Sequence, residues 1–163
     1  MLEVLLVDDE PFILQGLQLL VDWEKEGYHI STASNGKEAY DYISTNPVDL
    51  IISDIKMPVM TGVELLKALR ENLKSDTYFV ILSGYAEFSY AQEALRYECT
   101  DYILKPVEQE QLLGILRKVS ALNQAKTSRT QDVLKKEKAY MERTLMRLLS
   151  GKYDVNDLEY ISE

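Results

Sequence analysis

Short apolar runs recur about every 25 residues over the first 105 positions, and the stretches between them carry apolar residues three or four positions apart. The runs VLLV, LIIS and FVIL do not alternate with polar residues, which is typical of central strands buried on both faces. Because parallel strands need crossover connections, strand and helix repeated five times predict an α/β fold with a five-stranded parallel sheet between helices. The predicted strands are Val4–Val7, His29–Ala33, Leu50–Ser53, Phe79–Leu82 and Tyr102–Leu104.

The pattern changes after Leu122. Residues 123–132 contain no core-forming residue, which indicates a linker or a solvated helical stretch. Apolar residues then return at spacings of 7, 4 and 3, which predicts one face of a second helix ending near Gly151. Two heptads are too few to assert a coiled coil, so this helix could pack on a neighbouring domain or form a dimer contact. We therefore predict one domain over residues 1–122 and a linker with an amphipathic helix over 123–163.

The formal net charge of −9 is unevenly distributed. Residues 1–122 contain 10 Lys/Arg and 20 Asp/Glu, whereas residues 123–152 contain 8 Lys/Arg and 3 Asp/Glu. Nucleic-acid affinity depends on Lys and Arg that neutralise phosphates, so we expect no DNA binding by residues 1–122. Basic residues interleaved with leucines in 123–152 are more typical of the solvated face of a helix.

Composition indicates a folded protein of the cell interior. Hydrophobic residues make up 46% of the chain and charged residues 28%, which excludes an intrinsically disordered chain. The single cysteine, Cys99, cannot form an internal disulfide. No apolar run approaches the roughly 20 residues needed to cross a bilayer. We therefore expect a cytoplasmic location and no membrane contact.

Polar residues follow the predicted strands at the edge where ligands bind to open parallel sheets. Asp8 and Asp9 end the first strand, Asp54 the third, Ser83 the fourth and Lys105 the fifth. A single aspartate at a strand end is most often a turn or capping residue, but five polar positions filled together favour a site. Converging carboxylates suit Mg²⁺, which binds through one or two carboxylates, waters and phosphate oxygens. Without a metal they repel one another, so at least one pKa should rise.

Four motifs resemble those of bacterial two-component receiver domains, in order and over residues 1–120. They are VDDEP (7–11), SDIKMP (53–58) followed by Gly62, SGY (83–85) and DYILKP (101–106). The resemblance implies a flavodoxin-like (βα)5 receiver fold. It also implies a signalling switch that takes a phosphoryl group from a sensor histidine kinase and catalyses only its own phosphorylation and dephosphorylation.

The resemblance assigns roles to individual residues at the metal. Asp54 would be the phosphoacceptor and Asp9 a direct Mg²⁺ ligand. Asp8 would hold a metal-bound water, and the backbone carbonyl of Lys56 would complete the protein's share of the ligands. His29 lies away from the strand ends, so the phosphohistidine donor must belong to another protein.

Three further roles concern the readout of phosphorylation. Lys105 would pair with Asp54 before phosphorylation and with the phosphoryl group afterwards, and its bond to Pro106 could be cis. Ser83 would be the hydroxyl that moves to bond the phosphoryl group, and Tyr102 the aromatic ring that turns inward with it. Ser83 stands where threonine is commoner, but it keeps the hydroxyl.

A looser resemblance concerns the output. Residues 83–91, the pair Asp22-Trp23 and residues 143–152 are similar to response regulators whose receiver is joined to an AraC-type DNA-binding domain. Such effectors need about a hundred further residues, so we expect the present sequence to lack that domain and to contact DNA only through it. Aromatic residues around the fourth helix also suggest a phosphorylation-dependent homodimer, since exposed aromatic patches favour partners; they are Tyr85, Phe88, Tyr90 and Tyr97.

Other functions fit the residues less well. A haloacid-dehalogenase-type phosphatase, also an aspartate-nucleophile Mg²⁺ enzyme, would carry a DxD pair on its first strand, where Asp8 and Asp9 are adjacent. A flavodoxin-like cofactor binder needs a phosphate-cradling loop there, but Asp8, Asp9 and Glu10 would repel phosphate. A stand-alone phosphorelay receiver remains an alternative for the output.

Overall fold

The structure, a computed structural model, describes residues 1–84 and 88–149. Strands and helices alternate strictly through this part of the chain. In order they are β1 (Leu2–Val7), α1 (Pro11–Leu20), β2 (Tyr28–Ala33), α2 (Gly36–Thr45), β3 (Leu50–Asp54), α3 (Gly62–Glu71), β4 (Tyr78–Ser83), α4 (Phe88–Arg96), β5 (Asp101–Leu104) and α5 (Gln109–Leu149). The five predicted strands are confirmed, with ends shifted by at most two residues.

All neighbouring strands are parallel, and their order in the sheet is β2-β1-β3-β4-β5. The predicted (βα)5 fold with a five-stranded parallel sheet is therefore confirmed. The chain adds β2 on one side of β1 and then β3, β4 and β5 on the other side. This switch in strand order places a crevice beyond the carboxyl ends of β1 and β3. Val7 lies opposite Ser53 in this register, so the residues that follow the two strands emerge at the same edge.

A hydrophobic core lies on each face of the sheet, which explains why the central strands are apolar without alternation. Leu5 and Leu6 are adjacent and fully buried, yet they belong to opposite cores. The core on the Leu6 side is covered by α1 and α5, and the core on the Leu5 side by α2, α3 and α4. The sheet is thus fixed from both sides, and its carboxyl edge carries the polar residues.

Side-chain caps begin the two helices that follow β2 and β3. The Asn35 side chain accepts a hydrogen bond from the Glu38 amide at the start of α2 (2.8 Å). Thr61 accepts one from the Glu64 amide at the start of α3 (3.1 Å). Each cap satisfies an amide that the first helical turn leaves without a carbonyl partner. The Asn-Gly and Thr-Gly pairs in the sequence therefore mark helix starts.

The fifth helix is continuous from Gln109 to Leu149 and runs through residues 123–132. This segment is helical, which agrees with a solvated helical stretch, and its role as a linker stays a prediction. Residues Met1–Val119 form one compact unit, and the part of α5 from Ser120 onward belongs to a second. The helix end predicted near Gly151 lies outside the described residues, and the domain boundary at residue 122 stays a prediction. No helix in residues 1–84 and 88–149 is both long and apolar enough to cross a membrane.

Gly62 is required by a close approach of α3 to the end of β3. A Cβ atom at this position would overlap the backbone carbonyl oxygen of Asp54 and lie 3.1 Å from the Ser53 hydroxyl oxygen. The Gly62 amide donates to the Ile55 carbonyl oxygen at 2.8 Å, which holds the two segments together. The start of α3 can therefore lie against the Asp54 backbone only because residue 62 has no side chain.

We expect Gly62→Ala to destabilise the protein by roughly 1–3 kcal/mol, because the methyl group must displace rigid backbone rather than a flexible side chain. Urea unfolding measures the change. Gly16→Ala is the matched control: that glycine is exposed in the middle of α1 with no atom within 4 Å of an added Cβ. The control should stabilise by roughly 0.5–1 kcal/mol through helix propensity. Equal stabilities for Gly62→Ala and wild type would contradict the close approach.

Candidate functional site

Three carboxylates converge beyond the carboxyl ends of β1 and β3. Asp8 and Asp9 directly follow β1, and Asp54 is the last residue of β3. One carboxylate oxygen from each lies within 4.8 Å of the others. Asp8 is 1% exposed and Asp54 8% exposed, whereas Asp9 faces solvent. The arrangement offers a cluster of hard oxygen ligands with one open side.

Lys105 places an ammonium group against two of these carboxylates. Its Nζ lies 3.2 Å from Oδ1 of Asp54 and 3.4 Å from Oδ2 of Asp8. The residue directly follows β5, and its amide donates to the Ser83 carbonyl oxygen at 2.7 Å. The Lys105-Pro106 peptide bond is cis, as the resemblance suggested. The positive charge is therefore placed at the carboxylate cluster by the strand that carries it.

Burial and crowding shift the protonation equilibria at this site. Burial raises the pKa of Asp54 and of Asp8 above the usual aspartate value, and repulsion from neighbouring carboxylates adds to both shifts. Attraction to Lys105 opposes these two increases but does not cancel them. Burial alone would lower the pKa of Lys105, but the facing Asp54 and Asp8 raise it overall. The site thus favours a charged lysine and penalises the ionisation of Asp8 and Asp54, mainly through burial and in addition through repulsion.

Backbone amides orient the two buried carboxylates. Asp54 Oδ1 accepts a hydrogen bond from the Ile55 amide, and Asp8 Oδ1 accepts one from the Glu10 amide, both at 2.9 Å. The Ser53 hydroxyl donates to the Asp54 backbone carbonyl at 2.8 Å. Sequence reasoning missed Ser53, because its partner is a backbone atom and only its place before Asp54 could have drawn attention to it. The Asp54 carboxylate is held in position while one side remains open.

The predicted readout residues lie on β4, which pairs with β3, and on the edge strand β5 beyond it. Ser83 ends β4, is fully buried and donates a hydrogen bond to the Gly84 carbonyl oxygen at 2.8 Å. Tyr102 is half-buried on β5 and packs against the core on the α2–α4 side. The Lys56 side chain is exposed two residues after Asp54. Ser83 thus ends the strand next to β3, Tyr102 lies one strand further, and Lys56 follows β3 in the chain; their roles stay predictions.

Two of the four aromatic residues around α4 have ordinary packing roles. Tyr90 and Tyr97 pack against the core on the α2–α4 side. Tyr85 and the side chain of Phe88 lie outside what the structure describes, so the dimer prediction stays untested there. His29 is exposed on the edge strand β2, with Nδ1 2.9 Å from a Glu3 carboxylate oxygen, which places it away from the cluster.

Comparison with known proteins gives matches over most of the chain. The family model described as a response regulator receiver domain matches residues 4–117. The uncharacterized transcriptional regulatory protein YesN of Bacillus subtilis is 37% identical over 151 residues, which is 92% of this chain and 39% of that protein. The transcriptional regulatory protein HptR of Staphylococcus aureus is 37% identical over 117 residues, which is 71% of this chain and 45% of that protein. The chain thus spans less than half the length of these relatives.

Solved structures give the same result. The REC domain of AraT, a response regulator from Geobacillus stearothermophilus, is 36% identical with a TM-score of 0.69, covering 77% of this chain and 98% of that one. The chemotaxis protein CheY4 of Vibrio cholerae is 35% identical with a TM-score of 0.65, covering 73% and 98%. With a parallel sheet, an acidic cluster and a facing lysine in place, the chain belongs to the receiver domains of two-component response regulators.

Proposed function

We propose that this receiver domain is a signalling switch that accepts a phosphoryl group on Asp54 from a sensor histidine kinase. The observation that carries the proposal is the Asp54 carboxylate itself, which is nearly buried at a strand end, 3.2 Å from Lys105 and clustered with Asp8 and Asp9. A carboxylate so placed has a fixed direction of attack and a cation within reach.

The proposed reaction is nucleophilic transfer. A carboxylate oxygen of Asp54 attacks the phosphorus of a phosphohistidine, the P–N bond breaks, and an acyl phosphate forms while the histidine nitrogen keeps the bonding electrons. Such transfer depends on positioning and on neutralising the phosphoryl oxygens. Lys105 supplies a cation on one side, and the Ile55 amide keeps the nucleophile oriented. The protein would catalyse only this transfer and the later hydrolysis, and no reaction of another substrate.

The donor set fits Mg²⁺. Carboxylate oxygens within 4.8 Å of one another match a hard cation that keeps several waters. We assign Asp9 and Asp54 as direct ligands, Asp8 as the group that holds a bound water, and the Lys56 carbonyl as the remaining protein ligand. When bound, the ion would offset the negative charge that the cluster and the phosphoryl oxygens accumulate.

Phosphorylation would change the partners of Lys105 and Ser83. Lys105 pairs with Asp54 and would move its ion pair to the phosphoryl oxygens. The Ser83 hydroxyl now bonds the Gly84 carbonyl and could exchange it for a phosphoryl oxygen, with Tyr102 on β5 following. Shifting the equilibrium between the inactive and the active conformation from 1:99 to 99:1 needs about 5.5 kcal/mol of differential interaction. Charge-assisted bonds to a phosphoryl group can supply this free energy.

An apolar groove next to the cluster supports a protein as phosphodonor. Residues of α1 and the segment after β5 line a cavity of about 490 Å³, in which Lys105 forms part of the wall. Phe12 borders it with 81% of its surface exposed. A helix of the kinase that carries the phosphohistidine could bury these apolar groups while presenting the phosphoryl group to Asp54.

The output is proposed from the relatives. YesN and HptR are named as transcriptional regulatory proteins, and this chain matches less than half of each. We propose that the switch controls a DNA-binding effector domain, of AraC type by the sequence resemblance, in a cytoplasmic transcription regulator. DNA contact would then depend on residues outside the present sequence.

Incubation with acetyl phosphate and Mg²⁺ tests the central proposal. We expect intact-mass spectrometry to show a gain of one phosphoryl group, because the small donor needs only the Asp54 site. The gain should disappear in Asp54→Asn and in the presence of EDTA. An unmodified mass in correctly folded wild-type protein would refute the assignment, and modification of Asp54→Asn would place the acceptor elsewhere.

Asp8→Asn tests the crowding of the carboxylates. Burial raises the Asp8 pKa above 3.8, so the penalty for ionised Asp8 in the folded state is absent below pH 3.8, grows as the pH rises through the raised pKa and is complete above it. Without metal at pH 7 we therefore expect Asp8→Asn to be more stable than wild type by roughly 0.5–2 kcal/mol. The difference should shrink as the pH falls towards 3.8, which chemical denaturation at several pH values would measure.

The same variant also tests whether Asp8 takes part in Mg²⁺ binding, independently of its effect on stability without metal. Excess Mg²⁺ should raise the thermal midpoint of wild type by mass action and raise that of Asp8→Asn much less. Asp41→Asn is the control, because Asp41 is exposed on α2 and paired with Lys37. It should behave like wild type in both measurements. An equal response of Asp8→Asn and wild type to Mg²⁺ would remove Asp8 from the metal site.

Exposed leucines on α4 and β5 make the proposed dimer testable. Leu95 is 71% exposed and Leu104, on the edge strand, 58% exposed. If phosphorylation drives dimerisation through this face, light scattering should show a mass increase of wild type after beryllofluoride treatment. Leu95→Asp and Leu104→Asp should each weaken the dimer affinity at least about tenfold. Leu19→Asp on α1, at a leucine that is 86% exposed, is the control. An unchanged monomeric wild type would refute the dimer.

A further inference from the structure

Arg70, in the last turn of α3, binds backbone carbonyls of two separate loops with one guanidinium group. The contacts are Nε to the Tyr97 oxygen (3.0 Å), one terminal nitrogen to the Ser75 and Thr77 oxygens (2.8 Å each) and the other to the Glu98 oxygen (3.0 Å). The side chain is half-buried. A planar fork with five donors can satisfy this set, whereas a lysine ammonium cannot span it. Arg70 therefore joins α3, the loop before β4 and the turn after α4.

The turn after α4 has a conformation that its sequence does not favour. The Cys99 amide donates to the Ala94 oxygen at 3.3 Å and the Glu98 amide to the Leu95 oxygen at 3.2 Å, which is the hydrogen-bond pattern of a Schellman motif. Glu98 takes the left-handed position with φ of 57°, where glycine is usual. The Arg70 bonds to Tyr97 and Glu98 stabilise this turn and place a positive charge at the negative end of α4.

Further contacts fix the same end of α4. Lys67, three residues before Arg70 on α3, has its Nζ 6.0 Å from the centre of the Tyr97 ring. Thr100 bonds β4 twice, with its amide donating to the Phe79 oxygen at 2.6 Å and its hydroxyl accepting from the Phe79 amide at 3.0 Å. The carboxyl end of α4 is thus attached to α3 and to the sheet. Its amino end follows Ser83 and Gly84, where the proposed phosphoryl readout lies.

We propose that Arg70 is a positioning residue of the switch: it anchors the carboxyl end of α4, so that phosphorylation displaces the helix by pivoting about residues 97–100. The inference rests on the proposed function. A helix held at one end and released at the other changes its tilt, which alters the surface formed by α4 and β5 while the carboxyl end of α4 stays attached to α3. Asp54 chemistry itself does not require Arg70, since the hydrogen bonds described for its guanidinium go to backbone carbonyls of residues 75, 77, 97 and 98.

Amide hydrogen exchange by NMR, with and without beryllofluoride and Mg²⁺, tests the anchor. In wild type we expect beryllofluoride to change exchange at Ser83 and the first turn of α4 but not at Glu98 and Cys99. In Arg70→Gln the Glu98 and Cys99 amides should exchange at least about tenfold faster and should now also respond to beryllofluoride. The acquired response is the decisive readout, because a purely structural contact would speed exchange equally in both states.

Two variants complete the test. Arg96→Gln removes an exposed arginine from the last turn of α4 and should behave like wild type. Arg70→Lys keeps the charge but loses the fork, and should give an intermediate effect if Arg70→Gln folds poorly. A wild-type response at Glu98 and Cys99 as large as that at Ser83, or an unchanged response in both Arg70 variants, would overturn the anchor.

Intact mass after acetyl phosphate treatment separates this inference from the proposed function. If wild type and Arg70→Gln are both phosphorylated but respond alike in exchange, the anchor fails and the phosphoacceptor stands. If wild type is not phosphorylated, the proposed function fails, and the anchor loses its role in a switch.

Discussion

The constraint on which the structure depends is the clustering of three carboxylates at the edge where the strands end, two of them facing Lys105. Asp8 and Asp54 are almost fully buried, and burial raises the pKa of both despite the nearby Lys105. Such a group costs free energy in the folded state, and the two apolar cores must offset this cost. Functional sites commonly retain local instability of this kind, because binding of a cation or of charged groups then yields a larger change. Burial of these carboxylates costs folding free energy, and a cation that bound them would offset part of that cost.

Close packing of backbone gives the carboxylates their positions. The start of α3 lies so near the end of β3 that only glycine fits at position 62, and the Ser53 hydroxyl bonds the same Asp54 carbonyl that Gly62 approaches. The Ile55 amide then fixes the carboxylate itself. Asp54 is therefore oriented by three local contacts rather than by its rotamer preference alone. A reacting group held in this way loses little entropy when a donor arrives.

Much of this could be predicted from the sequence, because the signals are local. Apolar runs marked the strands, and the polar residues after them identified the members of the cluster, since the ends of parallel strands must meet at one edge. The continuity of α5 could not be decided, because residues 123–132 lack an apolar face and helix propensity alone does not separate a helix from a linker. The contacts of Arg70 could not be predicted either, because its partners are backbone carbonyls, which leave no trace in residue types.

The geometry also explains which parts of the molecule can respond. The strands β1 and β3 lie inside the sheet with their residues buried in both cores, so a displacement there would cost packing on two faces. The strand β5 has four residues, lies at the edge and pairs only with β4. A displacement of β5 would disturb the hydrogen bonds to one neighbouring strand and half-buried side chains such as Tyr102. In the proposed switch, a charge change at Asp54 would act on this strand through Lys105, which pairs with Asp54, follows β5 directly and donates its amide to the Ser83 carbonyl oxygen. The lysine that neutralises the carboxylates is thus covalently joined to the part of the sheet that is least costly to move.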